Sequence, residues 1–491
     1  MNYDDYKLLC KTCDSILEKN KSIYRVAIPL LHVLKEHPFI LKQYQSIFKN
    51  SKQVISKTPR KKIFFDSAYK KVLSLLTFER LLFKDIKHKK IDVVFISHLV
   101  NAKHLDLESD FYFSNIPEFL KSEGINSLLM LINHTNESTG NLSKKNRDAG
   151  IPRIMIPKKL TLSGEVKILT GAIKELISMR KESNRTTGFF KNGLRFFSSF
   201  NGFRGALFGL RMDNYVRQVL SHFKPVVVIT IYEGHAWERL VYNAVAQKNI
   251  LRIGYQHSIV TRYSHAMCRS LGRSYDPDII YTSGTVTNNH LTKKLEGSHT
   301  KVITLGSNKL LNITSVPKVV KKTKTCLVIP EGLDNECEIL FRFTLQCASK
   351  LTNVNFIWRL HPQLSFSEVL GQMNLSSKDI PKNITISKLL LIEDINLSTH
   401  VLYRGSAAVI ESIYGGLIPM YLSDGSDMTI DLLHGISSGR KIINNFDDLS
   451  SALSKYSEND IKNLQCYCEK YFTQLDYSIL TNEIKTAIKK L

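Results

Sequence analysis

Two stretches of the sequence end an apolar run on residues that could hold an anion. FIWRLHP at 356–362 closes on His361 and Pro362. YRGSAAVIE at 403–411 passes through Arg404, Gly405 and Ser406 into a helical pattern carried by Ile410 and Ile413. In open α/β sheets, ligands bind outside the carboxyl ends of the strands. Ser406 is expected in the first turn of its helix, where its hydroxyl and the free backbone N–H groups suit an anion, phosphate above all. Pro362 keeps His361 out of helical geometry, which leaves the imidazole at a neighbouring strand end. Taken singly, Gly405-Ser406 also reads as an ordinary helix cap and His-Pro as an ordinary loop start. Together they suggest a pocket for the phosphate of a nucleotide.

The elements that must position these residues alternate strand and helix. In the first half, IDVVFISH (91–98), 127–132, PVVVITIY (225–232), LRIGY (251–255), 278–281 and 301–305 read as strands, with a helix expected over 236–247. Their polar ends include Glu233, His257, Ser283 and Ser307. In the second half the strands are 325–330, 354–360, 384–387, 400–403 and 417–422, with Glu331-Gly332 leading into a helix over 335–350. β-Branched runs alternating with helical stretches at this spacing predict doubly wound parallel sheets. The expected domains are a helical N-terminal region (1–90), a first Rossmann-like domain (91–311), a linker (312–324), a second Rossmann-like domain (325–446) and C-terminal helices (447–491). The Phe-rich basic stretch 189–200 reads either as a helix packing Phe and Leu into the core or as an amphipathic membrane-surface element. The basic stretch 49–62 reads as a solvated linker or a membrane-facing surface.

The composition sets limits. The chain has 491 residues with ordinary apolar content, but 68 Lys and Arg stand against 44 Asp and Glu, a net charge of +24. That surplus favours an anionic partner. Zinc-finger spacing, RNP-type aromatic motifs and a basic region with heptads are all missing, so nucleic acid is not expected as a partner. The longest apolar run is too short to cross a bilayer, and the polar start MNYDDYK is unlike a secretory signal. Cys10-x-x-Cys13 lacks a second pair at zinc spacing. The expected location is cytoplasmic and reducing, with peripheral attachment to the inner face of the plasma membrane as an option.

YEG at 232–234, LHP at 360–362 and GSA at 405–407 occur in that order across two Rossmann-like halves. This arrangement resembles the two-domain GT-B glycosyltransferases. Within them it is similar to the bacterial sialyltransferase, polysialyltransferase and Kdo-transferase groups of surface-polysaccharide (capsule, O-antigen, lipopolysaccharide) synthesis. Those groups carry an acidic residue before Gly in the first domain, His-Pro in the second, and a Ser motif one strand–helix unit later. Two departures stand out: a single acidic residue precedes Gly234, and Ala407 follows Ser406 where a second hydroxyl residue is usual. The resemblance implies an α/β GT-B fold, two doubly wound parallel-sheet domains facing a cleft, with an extra helical N-terminal region. It implies transfer from a nucleotide-sugar donor, a CMP-activated sialic-acid-like or Kdo-type sugar, to a glycan or lipid-linked glycan acceptor.

Glycosyl transfer needs a base for the acceptor hydroxyl, stabilisation of the leaving phosphate and a cleft that holds both substrates. On strand-end position Glu233 is the expected base, with His257 as its competitor. His361, Gly405 and Ser406 are expected on the donor phosphate, assisted by Arg404 or Arg359. Glu331-Gly332 could take ribose or base, and Glu411 ribose hydroxyls. Each has a plainer reading: Glu233 as a helix cap, His257 as a loop histidine, Glu411 as a surface residue. With neither a DxD-type triplet at a strand end nor His-x-x-x-His on a helix, no metal and no cofactor are expected. A UDP- or GDP-sugar transferase, an epimerase or a polyol-phosphate transferase would fit the same fold. A non-enzymatic nucleic-acid or membrane-surface binding protein would fit the charge.

Overall fold

The computed structural model describes residues 1–48, 90–135, 137–145, 150–246, 248–309, 324–362, 364–454 and 458–490. The basic stretch 49–62 and nearly all of the expected linker lie outside them.

β-Branched runs build two wholly parallel sheets. The first contains β1 (Val93–Leu99), β2 (Ser127–Asn133), β3 (Arg153–Ile156), β4 (Val227–Ile231), β5 (Leu251–Gln256), β6 (Ile279–Thr282) and β7 (Lys301–Thr304), in the order 3-2-1-4-5-6-7. The second contains β8 (Lys324–Ile329), β9 (Val354–Trp358), β10 (Ile384–Ile386), β11 (His400–Tyr403), β12 (Ile418–Leu422) and β13 (Lys441–Ile443), in the order 10-9-8-11-12-13. Strands such as β4 and β11 are buried along their whole length, as parallel strands covered by helices on both faces must be. Two Rossmann-like halves face a cleft, the GT-B arrangement expected. Strand order reverses between β1 and β4 in one sheet and between β8 and β11 in the other. These are the switch points where crevices open.

The N-terminal region does not stand apart. The Tyr3–Lys19 helix buries Leu9, Cys10, Cys13, Ile16 and Leu17 in the same apolar cluster as Val94 and Val228 of the first sheet. The two cysteines are therefore core residues with free thiols. Arg25 locks this region down. Its Nε–H donates to Glu175 at 2.7 Å and its Nη2–H to Glu182 at 3.0 Å, both on the Leu162–Asn184 helix. Removing one partner of a buried pair strands the other charge, so Arg25→Ala is expected to cost about 3–5 kcal/mol. Urea unfolding of the variant reads that loss directly, and an unchanged midpoint would contradict it.

The Phe-rich stretch forms the Gly188–Phe197 helix, with Leu194 and Phe197 buried and packed against the N-terminal helices. The core reading thus holds for this helix, while Phe200 beyond its end is 86% exposed. At the other end of the chain, Leu475, Leu480 and Ile484 return to the first sheet's apolar cluster. The tail therefore crosses back from the second half to the first.

Candidate active site

One cavity of about 490 Å³ opens between the halves. Glu233 and His235 reach it from the end of β4. Glu331 and Gly332 reach it from β8, His361 from β9, and Gly405 and Ser406 from β11. The residues singled out at both switch points thus line one cavity, from opposite sides.

The turn after β4 is shaped by Gly234, whose φ of +82° belongs to the left-handed region. A Cβ there would lie 2.5 Å from the carbonyl carbon of Ala266. Glu233 is not the cap of the Ala236–Ala246 helix. That task falls to Glu238, three residues past His235, whose carboxylate accepts the N–H groups of Glu233 (3.1 Å), Gly234 (2.7 Å) and His235 (3.0 Å). A Glu in the third helical position reaching back to the cap residue is one half of a capping box. HAWE at 235–238 carries that half, with His235 where Ser or Thr is usual. Burial pushes Glu238 up to about 7 despite its donors and the nearby His235.

Freed from capping, Glu233 turns to His235, and the imidazole Nε2 lies 3.2 Å from its carboxylate. Burial alone would raise the Glu233 carboxyl, but the hydrogen bond and charge of His235 hold it well below the ordinary range. Burial opposes charge on His235 too, and Glu233 outweighs it, so His235 sits above the usual imidazole value. The two therefore titrate as a unit. Behind them His98 Nδ1 lies 2.8 Å from His134 Nε2, with the Trp237 ring edge-on to His98 at 5.4 Å. Burial pushes His98 down to about 3 and lowers His134, so both are neutral at neutral pH. His257 is off the cavity wall, edge-on to Tyr112 at 5.0 Å, and burial takes it down to about 4.

On the opposite wall the backbone makes room for side chains. A Cβ on Gly332 would come within 3.1 Å of the His361 ring, and one on Gly405 within 2.7 Å of the Glu331 carboxylate. Burial lowers His361, which favours the neutral imidazole.

Four expectations are corrected here. Ser406 lies ahead of its helix, which begins at Ala408, so it is not in the first turn. Arg404 is fully buried and points into the second half. Its guanidinium donates to Glu336 (2.6 Å), the Leu422 carbonyl (3.0 Å) and Asp424 (3.0 Å). The strand-end position of Arg404 therefore supports the fold, not the cavity wall. Glu411, one turn along the helix, also lies off that wall, with Lys309 the principal charge acting on it. Arg359 is held by Asp394 at 2.6 Å.

A strap from the N-terminal region, marked by no strand end in the sequence, completes the cavity. Val33 adopts φ +43°, ψ +65°, a strained conformation for a β-branched residue. Beyond it Lys35, Glu36 and His37 enter the cavity wall. Lys35 is exposed to the cleft, makes no ion pair among the described residues, and acts by charge on Glu233, His235 and His361. His37 Nε2 lies 3.2 Å from Glu331 and 3.2 Å from Glu336, joining the N-terminal region to the second half. Burial disfavours the imidazolium, but the two carboxylates push His37 up to about 9. LKEHP at 34–38 is a second His-Pro, the one available sequence hint.

A raised folded pKa stabilises below the unfolded value and is lost as pH climbs through the folded one. The His37 contact should be complete below about pH 6.5 and gone above about pH 9, worth roughly 3 kcal/mol at most. His37→Gln should remove that pH dependence from the thermal melting curve. A variant that keeps the wild-type slope between pH 7 and 9 would show that the contact is not the source.

No family model and no curated protein sequence matches the chain. Solved structures overlay on most of it. The S. aureus MnaA–UDP co-structure is 11% identical over 82% of this chain and 98% of that one, with a TM-score of 0.49. A glycosyltransferase of kitacinnamycin is 10% identical over 81% and 99%, with a TM-score of 0.48. Acinetobacter baumannii MurG is 11% identical over 80% and 99%, with a TM-score of 0.45. At such identities and overlays the likeness says nothing of activity.

Proposed function

We propose that the cavity binds a nucleotide-activated sugar and transfers the sugar to an acceptor hydroxyl. One observation carries the reading: an acid–imidazole pair at one switch point and His361, Glu331, Gly405 and Ser406 at the other face the same hollow. The acceptor O–H attacks the anomeric carbon. The bond from that carbon to the phosphate oxygen breaks, and the phosphate leaves with the electron pair. The proton passes to the Glu233–His235 pair, which is aimed into the cavity. His361 and Ser406 hold the leaving phosphate, and Lys35 supplies the positive charge that its growing anion requires. Glu331 takes a hydroxyl of the ribose or sugar.

His257 is the weaker base in this scheme, because it stands behind Tyr112 and off the wall. The YEG, LHP and GSA motifs favour CMP as the carrier, with a sialic-acid-like or Kdo-type sugar, a glycan acceptor and a role in surface-polysaccharide synthesis. The test is a thermal-shift panel of CMP, CDP, UDP and GDP. Stabilisation by CMP above the others supports the CMP reading, and a preference for UDP or GDP moves the donor class while leaving the site in place. A null result with all four removes the reading.

A further inference from the structure

The Leu162–Asn184 helix buries one face through Ile168, Ala172, Glu175 and Met179. Beside that face it exposes a second apolar stripe. Leu162, Val166, Leu169, Ile173 and Ile177 are 52, 52, 37, 54 and 51% exposed. Their spacing of three and four residues keeps them on one line along the helix, about 22 Å long at the α-helical rise. Lys167, Lys174 and Lys181 recur every seven residues, about a third of a turn further round, and all three are exposed. An apolar stripe bordered by a lysine row is the pattern of a helix lying in a membrane interface.

From this geometry we infer that the helix is a docking surface for an anionic bilayer, apolar stripe inward and lysines at the headgroups. Charge complementarity selects this occupant, since the chain carries +24 and every charged residue in the band beside the stripe, among Ser163, Thr170 and Ser178, is a lysine. A second copy would bring like-charged rows together. The surface differs from the 189–200 stretch, whose helix is spent on the core.

The placement gives the surface a use, and this part rests on the glycosyl-transfer reading. Arg211 clamps Glu165 in the first turn of the helix at 2.8 and 2.9 Å. Arg211, Lys158, Phe208 and His134 line a second cavity of about 420 Å³ in the first half. His134 hands on to His98, and His98 to Trp237 behind the Glu233–His235 pair. An acceptor anchored in the bilayer would thus meet the first half beside the base.

The test is co-sedimentation of the full chain with vesicles of phosphatidylcholine, with and without phosphatidylglycerol. Ile173→Asp/Ile177→Asp and Lys167→Gln/Lys174→Gln/Lys181→Gln alter exposed positions, and thermal melts confirm that both variants fold. Wild type should bind the anionic vesicles only, and binding should weaken with salt. The lysine variant should bind about 100-fold more weakly, at about fivefold per lysine, and the isoleucine variant about tenfold or more. Variants that bind like wild type would overturn the proposal, as would equal binding to neutral vesicles. So would a wild-type dimer, seen by light scattering, that the isoleucine variant converts to monomer. Nucleotide affinity measured on the same samples separates this outcome from the fate of the glycosyl-transfer reading, since neither variant touches the cleft.

Discussion

Glu233→Gln should lower kcat for nucleotide release from the sugar donor by about 100-fold or more, with nucleotide affinity nearly unchanged. The side chain keeps its size and can still meet His235, so the loss isolates the charge. The pH profile carries the sharper signature. Glu233 favours the imidazolium of His235, which therefore keeps its proton above the ordinary value of 6.5. The pair acts as a base only after losing that proton, so turnover should rise with pH through the raised pKa. Removing the Glu233 charge lets His235 deprotonate earlier, and the acidic limb should move to lower pH. His235→Gln should be about as slow as Glu233→Gln, and the double variant little slower than either, because the two residues act as a unit. A Glu233→Gln enzyme with a wild-type rate and limb would remove the pair from the mechanism.

Lys35→Ala should lower kcat/KM for the donor by about 100-fold, the scale of losing one donor to a developing anion. Lys35→Arg, which keeps the charge on a different stem, should recover a good part. The residue is exposed to the cleft and unpaired among the described residues, so its removal should leave the melting temperature unchanged. Melting that falls with activity would indicate that the strap was only being held in place. The prediction also separates Lys35 from His37, whose loss should register first in stability and its pH dependence.

Glu233 and Lys35 differ in how legible they are in the sequence. Glu233 could be read because a long β-branched run announces β4 and leaves an acid and a glycine at its end. Gly332 and Gly405 were found in the same way, and the close approaches of His361 and Glu331 now account for both glycines. Lys35 could not be read as part of the site. It follows no strand, and only folding of the N-terminal helices onto the first half brings its loop to the cleft.

Arg404 shows the opposite failure. A strand-end arginine beside Gly-Ser invites a phosphate, yet the buried carboxylate of Glu336 claims it, and a helix's inward face gives little sign of such an acid. Ser406 precedes its helix, and a helical hydrophobic pattern does not fix its own first residue. β3 and β13, four and three residues long, stand in polar, Gly- and Ser-bearing stretches without the long apolar run that marks β4. Glu238 was legible in principle, as the third residue of a helix whose cap is a histidine.

The most direct test of the account is calorimetric titration of the best nucleotide from the panel into wild type and into His361→Ala/Ser406→Ala. The wild type should bind one nucleotide per chain, and the variant, with its fold intact, should bind at least about tenfold more weakly. Equal affinity in the two proteins would place the nucleotide elsewhere and contradict the shared hollow as its site.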